Sequence, residues 1–347
     1  MSAMNAPVPS NHEPLTLSLL SVVAPVFNED ALVDEFHARV CAALADLPFE
    51  LVLVDDGSTD GTGLALDRLA DADPRVRVVS LSRNFGHQTA LTAGLDHAAG
   101  EAVVMLDADL QDPPELIATM LDHWRAGCDV VYAVRRERAG ESRFKLTTAR
   151  WFYALFDHLA QIDLRRDSGD FRLLDRRALD ALLSMRERNR FLRGMTVWVG
   201  FTQAAVPYDR DARYAGTTKY TLGRMLRFSI DAILSFSDRP LKVATLLGLI
   251  ISTLAFVAIP VVVVLRLLGH YLPGFGTITI VVLLLGGIQL ISIGIIGEYV
   301  GRIYDEVKGR PLYLVKARRN LEDSGVTSVR EPADTAHAGD RRLSEPK

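Results

Sequence analysis

The chain is short of cysteine, of net charge and of the glycine patterns that mark several nucleotide-binding folds. Cys41 and Cys128 are far apart, with no C-x-x-C and no histidine partner spacing. They read as ordinary reduced, buried cysteines, which argues against a disulfide framework or a zinc module. The formal net charge is only −4, so no global case for nucleic-acid binding exists. No G-x-G-x-x-G follows the first predicted strand, and no G-x-x-x-x-G-K-[ST] occurs, which excludes an ordinary dinucleotide fold and a P-loop. The apolar stretch Leu15 to Val26 lacks a positive segment before it and runs straight into Phe27-Asn28-Glu29-Asp30, unlike a signal peptide.

Apolar residues are abundant. Mean hydropathy is +0.15, and the excess sits between Val243 and Gly297. A length of 347 residues allows about two domains. Together these predict a soluble domain joined to a membrane segment.

The stretch around which the rest is organised is Val103 to Glu115, VVMLDADLQDPPE. Its four apolar residues predict a buried strand. Asp107-Ala108-Asp109 and Asp112 follow, and Pro113-Pro114 end the strand and set up a helix. Three carboxylates are thus expected at the carboxyl end of a strand, the edge where open α/β sheets bind ligands. Carboxylates this close repel one another unless a cation sits among them. A hard divalent ion, Mg²⁺ or Mn²⁺, shared with a diphosphate suits them. A solvated acidic loop is the plainer alternative.

Three more strands are predicted upstream, at Leu19 to Ala24, Phe49 to Val54 and Val76 to Leu81, and one downstream at Val130 to Val134. Helical patterns lie between them at Ala31 to Leu44, Thr62 to Ala70 and Gln88 to Ala98. Alternating strand and helix predicts an α/β domain with a mostly parallel sheet. The strands end in PVFNED, DDGSTDG, SRNFG and DADLQD. One such loop is turn chemistry; four at one sheet edge build a site.

In that order, PVFNED, VDDGSTDGT, SRNFGHQTALTAGL and DADLQDPPE resemble the inverting family 2 of nucleotide-sugar glycosyltransferases, over roughly Leu19 to Tyr220. The resemblance implies the A-type glycosyltransferase fold. It implies that Pro25, Phe27, Glu29 and Asp55 or Asp56 hold the nucleotide. It implies that Asp107, Ala108, Asp109 and Gln111 meet metal and diphosphate, with Asp107, Asp109 and Gln111 as the metal set, and that Arg135 contacts the diphosphate. The plainer alternatives are that Glu29 caps a helix and that Asp55 satisfies turn amides.

Asp167-Ser168-Gly169-Asp170-Phe171-Arg172-Leu173 resembles the acceptor-side motif of polyprenyl-phosphate glycosyltransferases, which makes Asp170 the implied catalytic carboxylate and Asp167 the second candidate. Asp175, just before a predicted helix Arg176 to Met185, fits a helix cap better. Arg213-Tyr214-Ala215-Gly216-Thr217-Thr218-Lys219-Tyr220 resembles an element of the dolichol-phosphate mannose synthase group. Arg213 and Lys219 on a glycine-containing loop can clamp phosphate oxygens by charge-assisted bonds, and Arg193 is assigned with them to the acceptor phosphate. A juxtamembrane basic patch is the alternative.

Leu222 to Phe236 has an apolar face with Arg224 and Arg227 and suits an interfacial helix over 221–238. Val243 to Leu265 and Gly274 to Gly297 carry no charge, and each is long enough to span a bilayer. The short connection makes them a hairpin within 239–300. Basic residues flank both outer ends, so the positive-inside rule puts the enzyme domain (15–220) and both termini in the cytoplasm; the two-span architecture and the Ala/Arg-rich character suggest a bacterial inner membrane. Residues 1–14, and the tail 301–347 from about residue 320, read as disordered.

The resulting expectation is a membrane glycosyltransferase. It moves one sugar, glucose from UDP-glucose by preference, to a polyprenyl phosphate, with Mg²⁺ or Mn²⁺; a homotetramer is compatible with the resemblance. GDP-mannose, a UDP-N-acetylhexosamine and UDP-aminoarabinose are the alternative donors. A processive polysaccharide synthase lacks support, because neither Q-x-x-R-W nor further spans are present. A non-catalytic scaffold would need decayed motifs, whereas DADLQD, DSGDF and RYAGTTK are intact.

Overall fold

A computed structural model of the protein describes residues 16–135, 168–209, 239–268 and 274–321. The first half alternates as read: β1 (Leu20–Val26), α1 (Val33–Ala43), β2 (Phe49–Asp55), α2 (Thr62–Ala72), β3 (Val76–Leu81), α3 (His87–His97), β4 (Ala102–Met105), α4 (Leu116–Arg125) and β5 (Val130–Arg135). Then come β6 (Ser168–Asp175), α5 (Arg176–Ser184), α6 (Leu192–Trp198), β7 (Gln203–Tyr208), two long helices, α7 (Arg239–Leu267) and α8 (Phe275–Val307), and β8 (Val315–Arg319).

The strands form one eight-stranded sheet in the order β7-β5-β6-β4-β1-β2-β3-β8. Pairing is parallel from β3 through β2 and β1 to β4, and again between β5 and β7. The sheet is mostly parallel, as expected, with two exceptions. β6 runs antiparallel to both β4 and β5, and β8 runs antiparallel to β3.

Side chains alternate across each strand, so the sheet has a core on each face. On one, Val22, Leu51, Leu53 and Leu173 meet Phe36 of α1, Leu66 of α2 and Trp124 of α4. On the other, Val23, Val54, Val103 and Leu174 meet Leu91 of α3, Leu179 of α5 and Met195 of α6. α3 lies close on the sheet because Gly94 has no side chain: a Cβ there would stand 2.3 Å from Val23 Cγ1. The predicted helix after Asp175 is present, and the Asp175 carboxylate accepts from Arg177 N at 3.0 Å, as the capping reading required.

The segment after α8 is not simply a tail. Tyr313 and Val315 are buried in the second core, and Tyr313 Oη donates to Asp96 Oδ2 at 2.7 Å, beside the two-point Arg186–Asp96 pair. The expected spans fall within α7 and α8, which pack on each other. Large apolar side chains on both, such as Leu246, Phe256 and Leu290, are exposed. Among the described residues, one stretch, Leu284–Val307, is long and apolar enough to cross a membrane; the apolar stretch of α7, Leu241–Leu254, is shorter. The proposed interfacial helix at 221–238 and the segments 1–15 and 322–347 lie outside the described residues.

Candidate active site

Four loops converge at the carboxyl edge of the parallel strands. Asn28, in the left-handed region at φ 54°, ties the β1 loop to the β2 loop: its Oδ1 accepts from Thr59 N at 2.9 Å, and its own N–H reaches Ser58 Oγ at 3.0 Å. Asparagine tolerates this backbone better than most residues. Gly57, at φ 70°, lets the β2 turn lie on the β3 loop, where a Cβ would come within 2.4 Å of the Arg83 carbonyl carbon.

The paired aspartates after β2 both serve loop architecture. Asp55 Oδ1 accepts from Ser58 N at 2.8 Å, which is the turn role weighed from sequence. Asp56 is buried, and its two oxygens accept from Phe85 N at 2.7 Å and Gly86 N at 3.0 Å. Burial pushes its pKa up, and these amides work against that shift. Pro25 is half-buried at the end of β1, and Phe27 stands 43 % exposed at the rim. Glu29 does not cap α1, whose N-cap is Leu32; its N–H donates to Thr62 Oγ1 at 3.0 Å.

The DADLQD loop carries Leu110 at φ 60°. This is an uncommon conformation for a bulky residue, and such strain clusters at functional sites. Ala108 is buried beneath the loop. Asp109 Oδ1 accepts the N–H of Gln111 at 3.1 Å, and the Gln111 side chain is buried. The three carboxylates of the loop do not act as one set. Asp112 is fully buried and tied to β7 and β5: its Oδ1 accepts from Tyr208 Oη and lies 3.7 Å from an Arg135 guanidinium nitrogen. Arg135 Nε in turn donates to Tyr208 Oη at 3.1 Å. Burial and the bond to Asp112 push Tyr208 up to about 12.

β6 supplies the other half of the site. Its antiparallel register pairs Met105 with Arg172, so continuing it brings Asp107 level with Asp170. His87, the first residue of α3, stands between them. Its Nε2 lies 3.3 Å from Asp170 Oδ2 and 3.5 Å from Asp107 Oδ1. Gln88 Nε2 donates to Asp170 Oδ2 at 3.2 Å. Arg193 of α6 grips the same carboxylate at two points, Nε to Oδ1 at 2.7 Å and an η-nitrogen to Oδ2 at 3.2 Å. Arg172, buried behind, braces the strand through Thr196 Oγ1 and Gly169 O.

The two carboxylates are driven apart electrostatically. Burial would raise Asp170, but the His87 and Arg193 bonds outweigh it and hold the group well below the usual carboxylate range. Asp107 is pushed up to about 6, chiefly by burial, with His87 opposing and Asp170, Asp112 and Asp109 adding to the rise. Burial lowers His87, yet the Asp170 bond and the Asp107 charge leave its pKa raised overall. Asp107 Oδ1 is buried and accepts no hydrogen bond. Apart from His87 at 3.5 Å, that oxygen is open to a ligand, and a pair of hard carboxylates is the donor chemistry a divalent ion such as Mg²⁺ or Mn²⁺ takes, so Asp107 and Asp109 fit that group.

The structure thus gathers Asp107, Asp109, Asp170 and Arg193 at one edge and places Arg135 beside Asp112. Asp167, Arg213 and Lys219 lie outside the described residues. His87, Gln88 and Arg172 were not singled out from sequence. The first two sat inside the quoted SRNFGHQ motif, where polar residues after a glycine read as a helix start.

Cys41 corrects an expectation: it does have a histidine partner. His37 Nε2, Cys41 Sγ and Asp73 Oδ2 lie within 4.8 Å of one another, because His37 and Cys41 are one turn apart on α1. Both cysteines are free, and half-buried rather than buried. Arg75 already supplies the cation of this group, bonding Asp73 Oδ2 at 2.8 Å and approaching Cys41 Sγ at 3.5 Å. Its bonds hold Asp73 well below the usual range, while burial raises the thiol.

Comparison with known proteins identifies the family. Residues 21–183 match the model described as glycosyl transferase family 2. The chain is 46 % identical over 306 residues to the uncharacterized glycosyltransferase YkcC of Bacillus subtilis, covering 87 % of this chain and 95 % of that protein. It is 40 % identical over 300 residues to the SfII prophage-derived bactoprenol glucosyl transferase of Shigella flexneri, covering 86 % and 97 %. Among solved structures, glucosyl-3-phosphoglycerate synthase from Mycobacterium tuberculosis matches with a TM-score of 0.43 and 25 % identity, over 63 % of this chain and 79 % of that one. A Shigella phage SfX bactoprenol glucosyl transferase, 39 % identical over 303 residues, covers 86 % of the chain and 99 % of its own length. With relatives matched along nearly their whole length, and four loops delivering carboxylates and cations to one sheet edge, the chain belongs to glycosyl transferase family 2.

Proposed function

We propose that the protein transfers a single sugar, by preference glucose from UDP-glucose, to a polyprenyl phosphate at a membrane surface, with inversion at the anomeric carbon. The observation that carries this reading is the pairing of Asp107 with Asp170 across His87, at the edge that also holds Arg193. It sets a metal-type carboxylate against an ionised, cation-bound one. Relatives named bactoprenol glucosyl transferases, similar over most of the chain, support the lipid acceptor and the glucose donor.

On the donor side, Pro25, Phe27, Glu29 and Asp55 line the nucleotide, Asp56 shapes the loop beside them, and Arg135 stands by the diphosphate. Asp107 and Asp109, with Gln111 adjoining, would hold Mg²⁺ or Mn²⁺, which when bound supplies Lewis-acid neutralisation of the leaving diphosphate. On the acceptor side, a phosphate monoester has its second pKa near 6 and is already largely anionic at neutral pH. It needs orientation more than a strong base. Asp170, held ionised well below its ordinary range, suits that role, while Arg193, Arg213 and Lys219 offset the acceptor's charge. Opposed placement of acceptor and leaving group favours in-line attack and inversion.

The two exposed apolar helices give the domain its membrane address. We read α7 and α8 as a two-span hairpin, with 221–238 lying on the surface and the catalytic domain and both termini in the cytoplasm. Contact with lipid would remove the many exposed apolar side chains of these helices from water.

The test is transfer of label. The full chain in detergent, with Mg²⁺, undecaprenyl phosphate and a panel of labelled nucleotide-sugars, is expected to move label from UDP-glucose into the organic phase. If no donor labels the lipid while a nucleoside diphosphate still binds with metal, the acceptor assignment is wrong. Asp170→Asn is expected to lower turnover at least tenfold; near-normal turnover would remove Asp170 from the catalytic set.

A further inference from the structure

Gln88 is the second residue of α3, and its amide is occupied at both ends. Oε1 accepts from Leu192 N at 3.0 Å, and Nε2 donates to Asp170 Oδ2 at 3.2 Å. The orientation has one solution. A backbone N–H can only donate, so the amide oxygen must face Leu192, and the amide nitrogen is then committed to the carboxylate. Leu192 opens α6, where the first N–H groups have no partner within the helix. The next residue, Arg193, clamps the same Asp170. Gln88 therefore joins three elements, α3, β6 and α6, at the one carboxylate they share. Its neighbour His87 reaches across to Asp107.

No other side chain does both tasks at this length. Glutamate would accept from Leu192 but set a second negative charge on Asp170. Methionine matches the length and offers neither bond. Asparagine is one methylene short.

We propose that Gln88 is a positioning residue: it fixes the Asp170–Arg193 pair in register with Asp107, and so couples the acceptor half of the site to the donor half. This rests on the reading that Asp170 faces the acceptor.

The experiment uses the full chain in detergent, with Gln88→Glu and Gln88→Met measured beside Asp170→Asn. The readouts are kcat and KM for label transfer to undecaprenyl phosphate, and Mg²⁺-dependent affinity for UDP. Loss of a hydrogen bond to a charged group is expected to lower kcat about tenfold to a hundredfold in both Gln88 variants. UDP affinity and the KM for nucleotide-sugar should stay within about twofold, because the Gln88 side chain bonds Asp170 and Leu192 and none of the residues assigned to the nucleotide. Wild-type kcat in either soluble variant overturns the proposal. So does a parallel loss of UDP affinity and turnover, which would mark Gln88 as a general support of the fold. If Asp170→Asn is inactive while the Gln88 variants turn over normally, only the positioning role falls. If Asp170→Asn keeps its turnover, the acceptor-side reading falls first and this proposal with it.

Discussion

At the scale of single residues, the site trades stability for chemistry. Asp107 carries a carboxyl pushed up to about 6, mainly by burial, against an ordinary value of 3.8. Between those two values the folded chain binds more protons than the unfolded one. Stability therefore falls as pH rises from about 4 to about 6, and the ionised group burdens the metal-free fold at neutral pH. Asp107→Asn is expected to raise the metal-free unfolding stability at pH 7 by about 1–2 kcal/mol. The same change should abolish Mg²⁺-dependent nucleoside diphosphate binding. In the unaltered protein that binding should weaken as pH drops below about 6, because a divalent ion needs the ionised ligand. Thermal melts at pH 5 and 7, with and without metal, check the first part. Unchanged stability at pH 7 would show that Asp107 is not strained by its surroundings.

Elements explain why the residues meet. The DADLQD carboxylates were legible because an apolar run followed by Asp and Pro-Pro reads as a strand leaving a sheet at its carboxyl end. The cap at Asp175 was legible for a similar local reason. The place of Asp170 was not. It depends on β6 running antiparallel into the gap between β4 and β5; its partner β4 lies more than sixty residues away in sequence, and local propensity carries no record of such a partner. The diversion of Asp112 to Tyr208 and Arg135 was hidden in the same way. β8 was likewise read as a tail, because a five-residue strand rich in Lys and Arg looks like a charged terminus. Charge of that kind suits a sheet edge. The strap that holds β8 yields a prediction of its own. Tyr313→Phe removes the bond to Asp96 and leaves Arg186 as its remaining strong partner. It should cost about 1–2 kcal/mol, seen as a lower Tm, with turnover at low temperature preserved. An unchanged Tm would mean that apolar burial alone holds the strap.

For the whole molecule, the proposed function requires the carboxyl edge of the sheet to lie near a lipid surface. β8 returns the chain from α8 to the sheet, so α8 is tied to the sheet through the segment that carries Tyr313 and β8. The topology is checked with Cys41 and Cys128 replaced by serine and single cysteines introduced. One among residues 269–273, between α7 and α8 in sequence, should react with a membrane-impermeant maleimide from outside intact cells, and Lys308→Cys only after lysis. Labelling of both from the same side would remove the two-span hairpin.

By itself the sequence determined the alternation of strand and helix, the loops that carry chemistry, the apolar helices and the family. All of these are written in short-range patterns of residue type, which the backbone's periodicities of about 3.6 and 2 translate directly. Tertiary structure alone decided which charged groups face one another. It set Asp170 beside Asp107, placed His87 between them, turned Asp56 inward to its amides and gave Gln88 its two partners. Those contacts follow from strand order and register across the sheet, and a register is fixed by burial of whole faces rather than by any residue's own preference.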